Sequence, residues 1–197
     1  STCTTQQAGG SSVVLTATPS AISTFTGWSG ACTGTGTCTV AMNAHRSVTA
    51  NFALKTYALT VIKAGAGSGT VSGGAIACGS TCSAQVNHGT SVTLTATPAT
   101  GSSFSGWSGA CTGTGTCTVS MTEARSVAVL FTQIPQTLTV TRDGNGTGSV
   151  AGGTIACGST CTATLPYGSS VSLTATPVTG SSFAGWSGAC TGTSTTC

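Results

Sequence analysis

Charge is what this sequence has least of. Five Lys and Arg and two Asp and Glu among 197 residues give a formal net charge of +3, whereas an ordinary globular domain has about a quarter of its residues charged. The apolar fraction is still 39%, so the chain is not kept disordered by self-repulsion or by a shortage of surface to bury. Arg46, Lys55, Lys63, Arg125 and Arg142 are too scattered to neutralise successive phosphates, which argues against nucleic acid as a partner. Groups for proton transfer are equally scarce. Glu123, Asp143, His45 and His88 are the whole supply of carboxylates and imidazoles. No apolar run reaches the length of a membrane-spanning helix, and no stretch has helical periodicity or helix caps.

What the sequence has in abundance is repetition. Cys3, Cys82 and Cys161 are spaced 79 residues apart, and Ser1-Thr2-Cys3 matches Ser80-Thr81-Cys82. Gly27-Trp28-Ser29-Gly30-Ala31-Cys32 returns at Gly106 to Cys111 and Gly185 to Cys190, and Ala17-Thr18-Pro19 returns at Ala96 to Pro98 and Ala175 to Pro177. A fixed period of this kind means one structural unit copied along a string. The copies run over 1–54, 55–133 and 134–197. The middle one is whole, the first lacks its opening third and the last lacks its end, so the natural polypeptide is expected to be longer. Short linkers are expected near Ala53 to Tyr57 and Gln133 to Gln136.

None of the four acid–base candidates repeats. One period away, Glu123 faces Ala44, Asp143 faces Ala64, His45 faces Ala124, and His88 faces Gly9 and Tyr167. No Ser-His-Asp or Cys-His set can be assembled within a module, and Gly-Trp-Ser-Gly has the wrong frame for a nucleophile elbow, so no enzyme activity is expected. Asp143-Gly-Asn145-Gly-Thr147-Gly148 looks like the start of a calcium loop. It lacks the closing Glu, has Thr154 there instead, and its counterpart Ala64 to Gly69 carries no carboxylate, so a glycine-rich hairpin turn is the expectation. Asn145-Gly-Thr147 is also a glycosylation sequon, present once.

The eleven cysteines point to an oxidising, extracellular compartment. Each repeat carries a Cys-x3-Cys, Cys78 with Cys82 and Cys157 with Cys161. Each also carries a longer pair, Cys32 with Cys38, Cys111 with Cys117, and Cys190 with Cys197. Local pairing in this pattern leaves Cys3 over. Pairing between the two classes, such as Cys82 to Cys111, stays open on sequence grounds. A structural zinc site would call for knuckle-like spacings and histidine, and Cys-Gly-Ser-Thr-Cys has one residue too many for a thiol redox motif, so neither metal nor cofactor is expected.

The apolar positions alternate. Leu59, Val61, Val71, Val86, Val92, Leu94, Ala96, Val119, Met121, Val127, Val129 and Phe131 occupy every second place in Thr-rich and Ser-rich runs, the pattern of half-buried strands. Val127, Val129 and Phe131 match Val48, Ala50 and Phe52 and are expected inward. Leu130 is expected outward, against a neighbouring module. The repeated aromatics Phe25 and Trp28, Phe104 and Trp107, and Phe183 and Trp186 admit two readings. They fill the core of a module poor in large side chains, or they present a sugar-stacking face.

Leu138-Thr-Val140, Gly148-Ser-Val150, Cys157-Gly-Ser-Thr-Cys161, Val171-Ser-Leu173-Thr-Ala175-Thr-Pro177, Phe183-Ala-Gly-Trp186 and Gly188-Ala-Cys190 resemble the divergent internalin-type B-repeat of bacterial surface and secreted proteins. The middle copy adds Cys117-Thr-Val119 and Arg125-Ser-Val127-Ala-Val129. The resemblance covers essentially the whole chain and implies small β-rich modules, β-grasp-like in better known relatives, strung along adhesins, stalks or fibres, with no catalytic residues. The third copy departs from the pattern by one residue inserted before Cys197. The expectation is therefore an all-β array of disulfide-stapled modules, β-grasp-like or small sandwiches. It would serve as an extracellular fibre or adhesin stalk whose partners are neighbouring modules or identical chains. The alternative is a multivalent binder of glycans or proteins that uses the Trp face.

Overall fold

The computed structural model describes residues 3–79, 81–158 and 160–197. The match of Ser1-Thr2 to Ser80-Thr81 and the serines of both Cys-Gly-Ser-Thr-Cys segments fall wholly or partly outside them. The described residues form seventeen strands and no helix. The first copy contributes β1 (Ser12–Leu15), β2 (Ser23–Gly30), β3 (Cys38–Ala41) and β4 (Val48–Leu54). The middle copy contributes β5 (Thr56–Ala64), β6 (Gly69–Gly73), β7 (Ile76–Cys78), β8 (Thr81–Asn87), β9 (Ser91–Pro98), β10 (Ser102–Gly109), β11 (Cys117–Ser120) and β12 (Arg125–Gln133). The third contributes β13 (Pro135–Thr141), β14 (Gly148–Gly152), β15 (Ile155–Cys157), β16 (Thr160–Pro166) and β17 (Thr174–Pro177).

The chain divides into two compact units, Ser1–Ile62 with Val71–Thr95 and Ser108–Val127, and Lys63–Thr70 with Ala96–Trp107 and Ala128–Cys197. In the first unit, β1 pairs antiparallel with β3 from Ser12 opposite Ala41 to Leu15 opposite Cys38, and β2 pairs antiparallel with β4. One core lies between these two small sheets: Trp28, Cys38 and Val40 are buried, with Leu15, Phe25, Val48 and Ala50 packed against them. In the second unit, β13 pairs with β16 while β14 lies between β15 and β17. Their shared core is Val140, Val150, Ile155, Cys157, Ala163, Leu173 and Ala175. Each of these copies is thus a small two-sheet sandwich, in which every second side chain faces the partner sheet.

The middle copy carries the full set of strands in the orders β10-β12-β5-β8 and β11-β9-β6-β7. Alternation is clean along it: Leu59, Val61, Val92, Leu94, Val127, Val129 and Phe131 are buried, and the Thr and Ser between them are largely exposed. Of the two architectures the sequence allows, the chain adopts the sandwich. A β-grasp lays a helix across its sheet, and the described residues contain none.

Four expectations need correction. The glycine segments at 65–68 and 143–147 are not hairpins. β5 and β13 pair with β8 and β16, whereas β6 and β14 belong to the other sheets, so each segment carries the chain from one sheet to the next. Lys63 and Arg142, one period apart, brace this corner by donating to the carbonyls of Gly69 and Gly148, the first at 2.9 Å. The linkers shrink to one residue each, Lys55 and Ile134, because the strands extend to both sides of them. Leu130 does face outward, 42% exposed, but it lies over Gly65 of its own module. Phe131 is fully buried against Gly69 of β6, whereas its counterpart Phe52 is 48% exposed and meets the Phe25 ring at 5.5 Å.

Candidate functional site

The motif that recurs three times, Gly-Trp-Ser-Gly-x-Cys, is the place where a repeated function would reside. Phe25 and Trp28 are three residues apart, and strict alternation would send them to opposite faces of β2. A bulge between Phe25 and Gly27 shifts the register by one and turns both inward. Their rings meet edge to face at 5.1 Å, and the same pairing recurs as Phe104 with Trp107 at 5.3 Å and Phe183 with Trp186 at 5.2 Å.

Trp28 then fixes the loop that follows it. Its backbone N–H donates to the Gly34 carbonyl at 2.8 Å and its indole N–H to the Gly36 carbonyl at 2.7 Å. In the third copy the Trp186 backbone N–H donates to Gly192 at 2.8 Å and its indole to Ser194 at 2.9 Å. So close an approach crowds any side chain on the preceding residue. Gly27 has φ of +138°, and a Cβ there would sit 3.1 Å from the Gly34 carbonyl oxygen.

The loop so held is closed by a disulfide. Cys32 bonds Cys38, Cys111 bonds Cys117 and Cys190 bonds Cys197, with Cα separations of 5.7, 5.6 and 6.1 Å. The second class, Cys78 with Cys82 and Cys157 with Cys161, each at 5.3 Å, ties edge strand β7 to edge strand β8 and β15 to β16, joining one sheet of a module to the other. The pairing is local throughout. Cys3 is exposed and unbonded.

Trp28 is 9% exposed and Trp107 6%. They meet Phe25 and Phe104 edge to face, and the Trp28 indole N–H is already engaged with Gly36. An aromatic in that position contributes apolar area and orientation to a module with few large side chains. Burial to this degree leaves little of either ring for a sugar to stack on.

The proton-transfer candidates stand apart on separate turns. Glu123 pairs with Arg125 at 3.0 Å across the β11–β12 turn, both groups solvated. Asp143 accepts the Gly144 N–H at 2.8 Å in the β13–β14 corner. His45 is exposed in the β3–β4 turn. His88 packs at a tilt against Tyr57 with ring centroids 5.9 Å apart, its Nδ1 buried without a hydrogen-bond partner. A concavity of about 550 Å³ in the third copy, lined by Leu138, Leu165, Tyr167, Val171 and Leu173 among others, lies at the turn whose middle-copy counterpart is bonded to Met121. Its lining carries no ionisable group other than Tyr167.

Sequence reasoning located the cysteine pairs and the repeated aromatics but missed the bulge, the indole bond and the bracing by Lys63 and Arg142. The spacing of three between Phe and Trp, odd for a strand, was the available signal for the bulge.

Neither the curated proteins nor the solved structures contain a match to the chain. The divergent InlB B-repeat domain matches three consecutive regions, residues 1–56, 57–135 and 136–197. These regions meet within two residues of the linkers Lys55 and Ile134, and with all three matched the chain belongs to the divergent InlB B-repeat family.

Proposed function

We propose that this chain is a non-catalytic structural segment of a secreted or surface-anchored bacterial protein, in which disulfide-stapled modules form an extracellular fibre or adhesin stalk. The carrying observation is that the side chains duplicated most faithfully, Phe25, Trp28 and the Cys32–Cys38 pair with their counterparts, pack the module and hold its loop. The carboxylates and imidazoles, Glu123, Asp143, His45 and His88, are the ones that do not repeat. The disulfides fit an oxidising exterior, and the repeat family is of a surface type. Low charge supports side-by-side association, since little electrostatic repulsion opposes it. The burial of Trp28 and Trp107 weighs against the rival, an adhesin that stacks glycans on its tryptophans.

Electron microscopy of the native protein tests the reading, together with a glycan array probed with the full chain. Thin beaded threads and no specific glycan hits are expected. Compact globules, or saturable binding to one glycan class, would replace the stalk with a binder.

A further inference from the structure

The junction between the middle and third copies converges on one residue, Gly101. It closes the turn between β9 and β10, where the Ser102 N–H donates to the Ala99 carbonyl at 3.0 Å, and its φ is +76°. Its own carbonyl accepts the N–H of Ile134, the single linker residue, at 2.8 Å. Its Cα lies beneath the ring of Tyr167, so that a methyl group added at Gly101 would fall on Cγ and Cδ1 of that ring. Tyr167 belongs to the following module. The turn that carries it is fastened by Ser169, whose N–H and hydroxyl both donate to the Pro166 carbonyl, at 3.1 and 2.7 Å. Pro166 in turn lies opposite Pro135, the residue after the linker.

Gly101, Ile134, Pro135, Pro166 and Tyr167 therefore make a closed ring of contacts around the covalent connection, all within the second compact unit. The connection is itself stiff, because Pro135 fixes its own φ and confines Ile134 to extended backbone. The ring holds only if position 101 has no side chain.

The first junction shares the backbone part and differs in the side chains. Lys55 donates to the Ile22 carbonyl at 3.0 Å, one period before the Ile134 to Gly101 bond, and the His88 N–H donates back to the Lys55 carbonyl at 2.8 Å. Ile22 stands where the second junction has Gly101, and His88 stands where it has Tyr167. The His88 ring packs on Tyr57 of its own module. The linker bond is thus common to both junctions, while the aromatic-over-glycine contact distinguishes the second.

We infer that Gly101 and Tyr167 form a latch between modules: the glycine turn of one module is a receiving surface for a planar aromatic presented by its successor, and their contact couples the two as one body. This deepens the array reading and depends on it for its purpose. The coupling itself is measured separately.

The test is ¹⁵N relaxation on the full chain as wild type, Tyr167→Phe and Tyr167→Ala, with circular dichroism to verify that each variant folds. In wild type and Tyr167→Phe, amides of the middle and third modules share one rotational correlation time, and the Ile134 amide has an order parameter of about 0.85. In Tyr167→Ala the third module's correlation time falls below that of the middle one, and the Ile134 order parameter drops below about 0.6. Unchanged values in Tyr167→Ala, or the same loss in Tyr167→Phe, overturn the latch. Globular particles in the microscope would remove the array reading and leave this measurement standing.

Discussion

The indole N–H of Trp28 donates to the carbonyl of Gly36 at 2.7 Å, and Gly36 sits inside the loop that Cys32 and Cys38 close. One side chain thereby fills the core, satisfies a loop carbonyl and positions a disulfide. Trp28→Phe removes the donor together with part of the buried ring and should cost about 2–3 kcal/mol, the hydrogen bond supplying about 1 kcal/mol and lost packing the rest. Trp107→Ala should cost about 3–5 kcal/mol, the range for deleting a large buried aromatic. Urea titration of each variant measures both, and equal small losses would mean that the ring is not part of the core.

Gly69 lies under the Phe131 ring, where an added Cβ would sit 2.5 Å from two ring carbons and 2.7 Å from the Thr97 carbonyl oxygen. Gly69→Ala should therefore destabilise by about 1–3 kcal/mol through overpacking. Gly115→Ala, with nothing within 4 Å of the new methyl, should stay within about 0.5 kcal/mol. A thermal melt in which the two variants are indistinguishable would contradict the packing of Phe131.

Each disulfide closes a short loop, and the loop-entropy relation assigns about 2 kcal/mol to each. Reductant should therefore lower the melting temperature by several degrees per bond broken. Cys111→Ala with Cys117→Ala should reproduce one bond's share without reductant. Cys78→Ala with Cys82→Ala should also loosen the tie between β7 and β8, seen as faster amide exchange along those edge strands. Melts unaffected by complete reduction would show that the sheets alone carry the fold.

Lys63 braces the crossing from β5 to β6 by donating to the Gly69 carbonyl. Lys63→Met keeps the stem and removes the donor, and should cost about 1 kcal/mol. Lys63→Arg should be close to neutral, because Arg142 occupies the equivalent place in the third copy. Comparable loss in both variants would assign the effect to the stem rather than to the bond.

Glu123 and Arg125 form the one ion pair among the described residues, and both ends are solvated. Glu123→Gln should change stability by less than about 1 kcal/mol. Chemical denaturation at low and high sodium chloride should give nearly coincident midpoints for the wild-type chain, since screening finds little to weaken. A strong salt dependence would reveal charge interactions that this ion pair does not account for.

The strands were legible because alternation is local: Val127, Val129 and Phe131 declare a buried face within one short run. The two cysteine classes were legible for the same reason, but the choice of local pairing over a bond such as Cys82 to Cys111 came from the structure. The corner at 65–68 was not, because a glycine cluster specifies a change of direction without saying which strand comes next. Leu130 pointed outward as its place in the alternation requires, but what it meets, Gly65, depends on how the corner folds back.

The amino-acid order by itself determined that this protein is a row of cysteine-rich β modules, because period, alternation and cysteine spacing are all properties of neighbouring residues. Only the tertiary structure decided that the two sheets of a module share one core, that a bulge turns Phe25 and Trp28 to the same side, and that Tyr167 settles on Gly101. Those outcomes depend on groups far apart in the chain filling the same space, and no local pattern encodes which distant surface will be there to meet them.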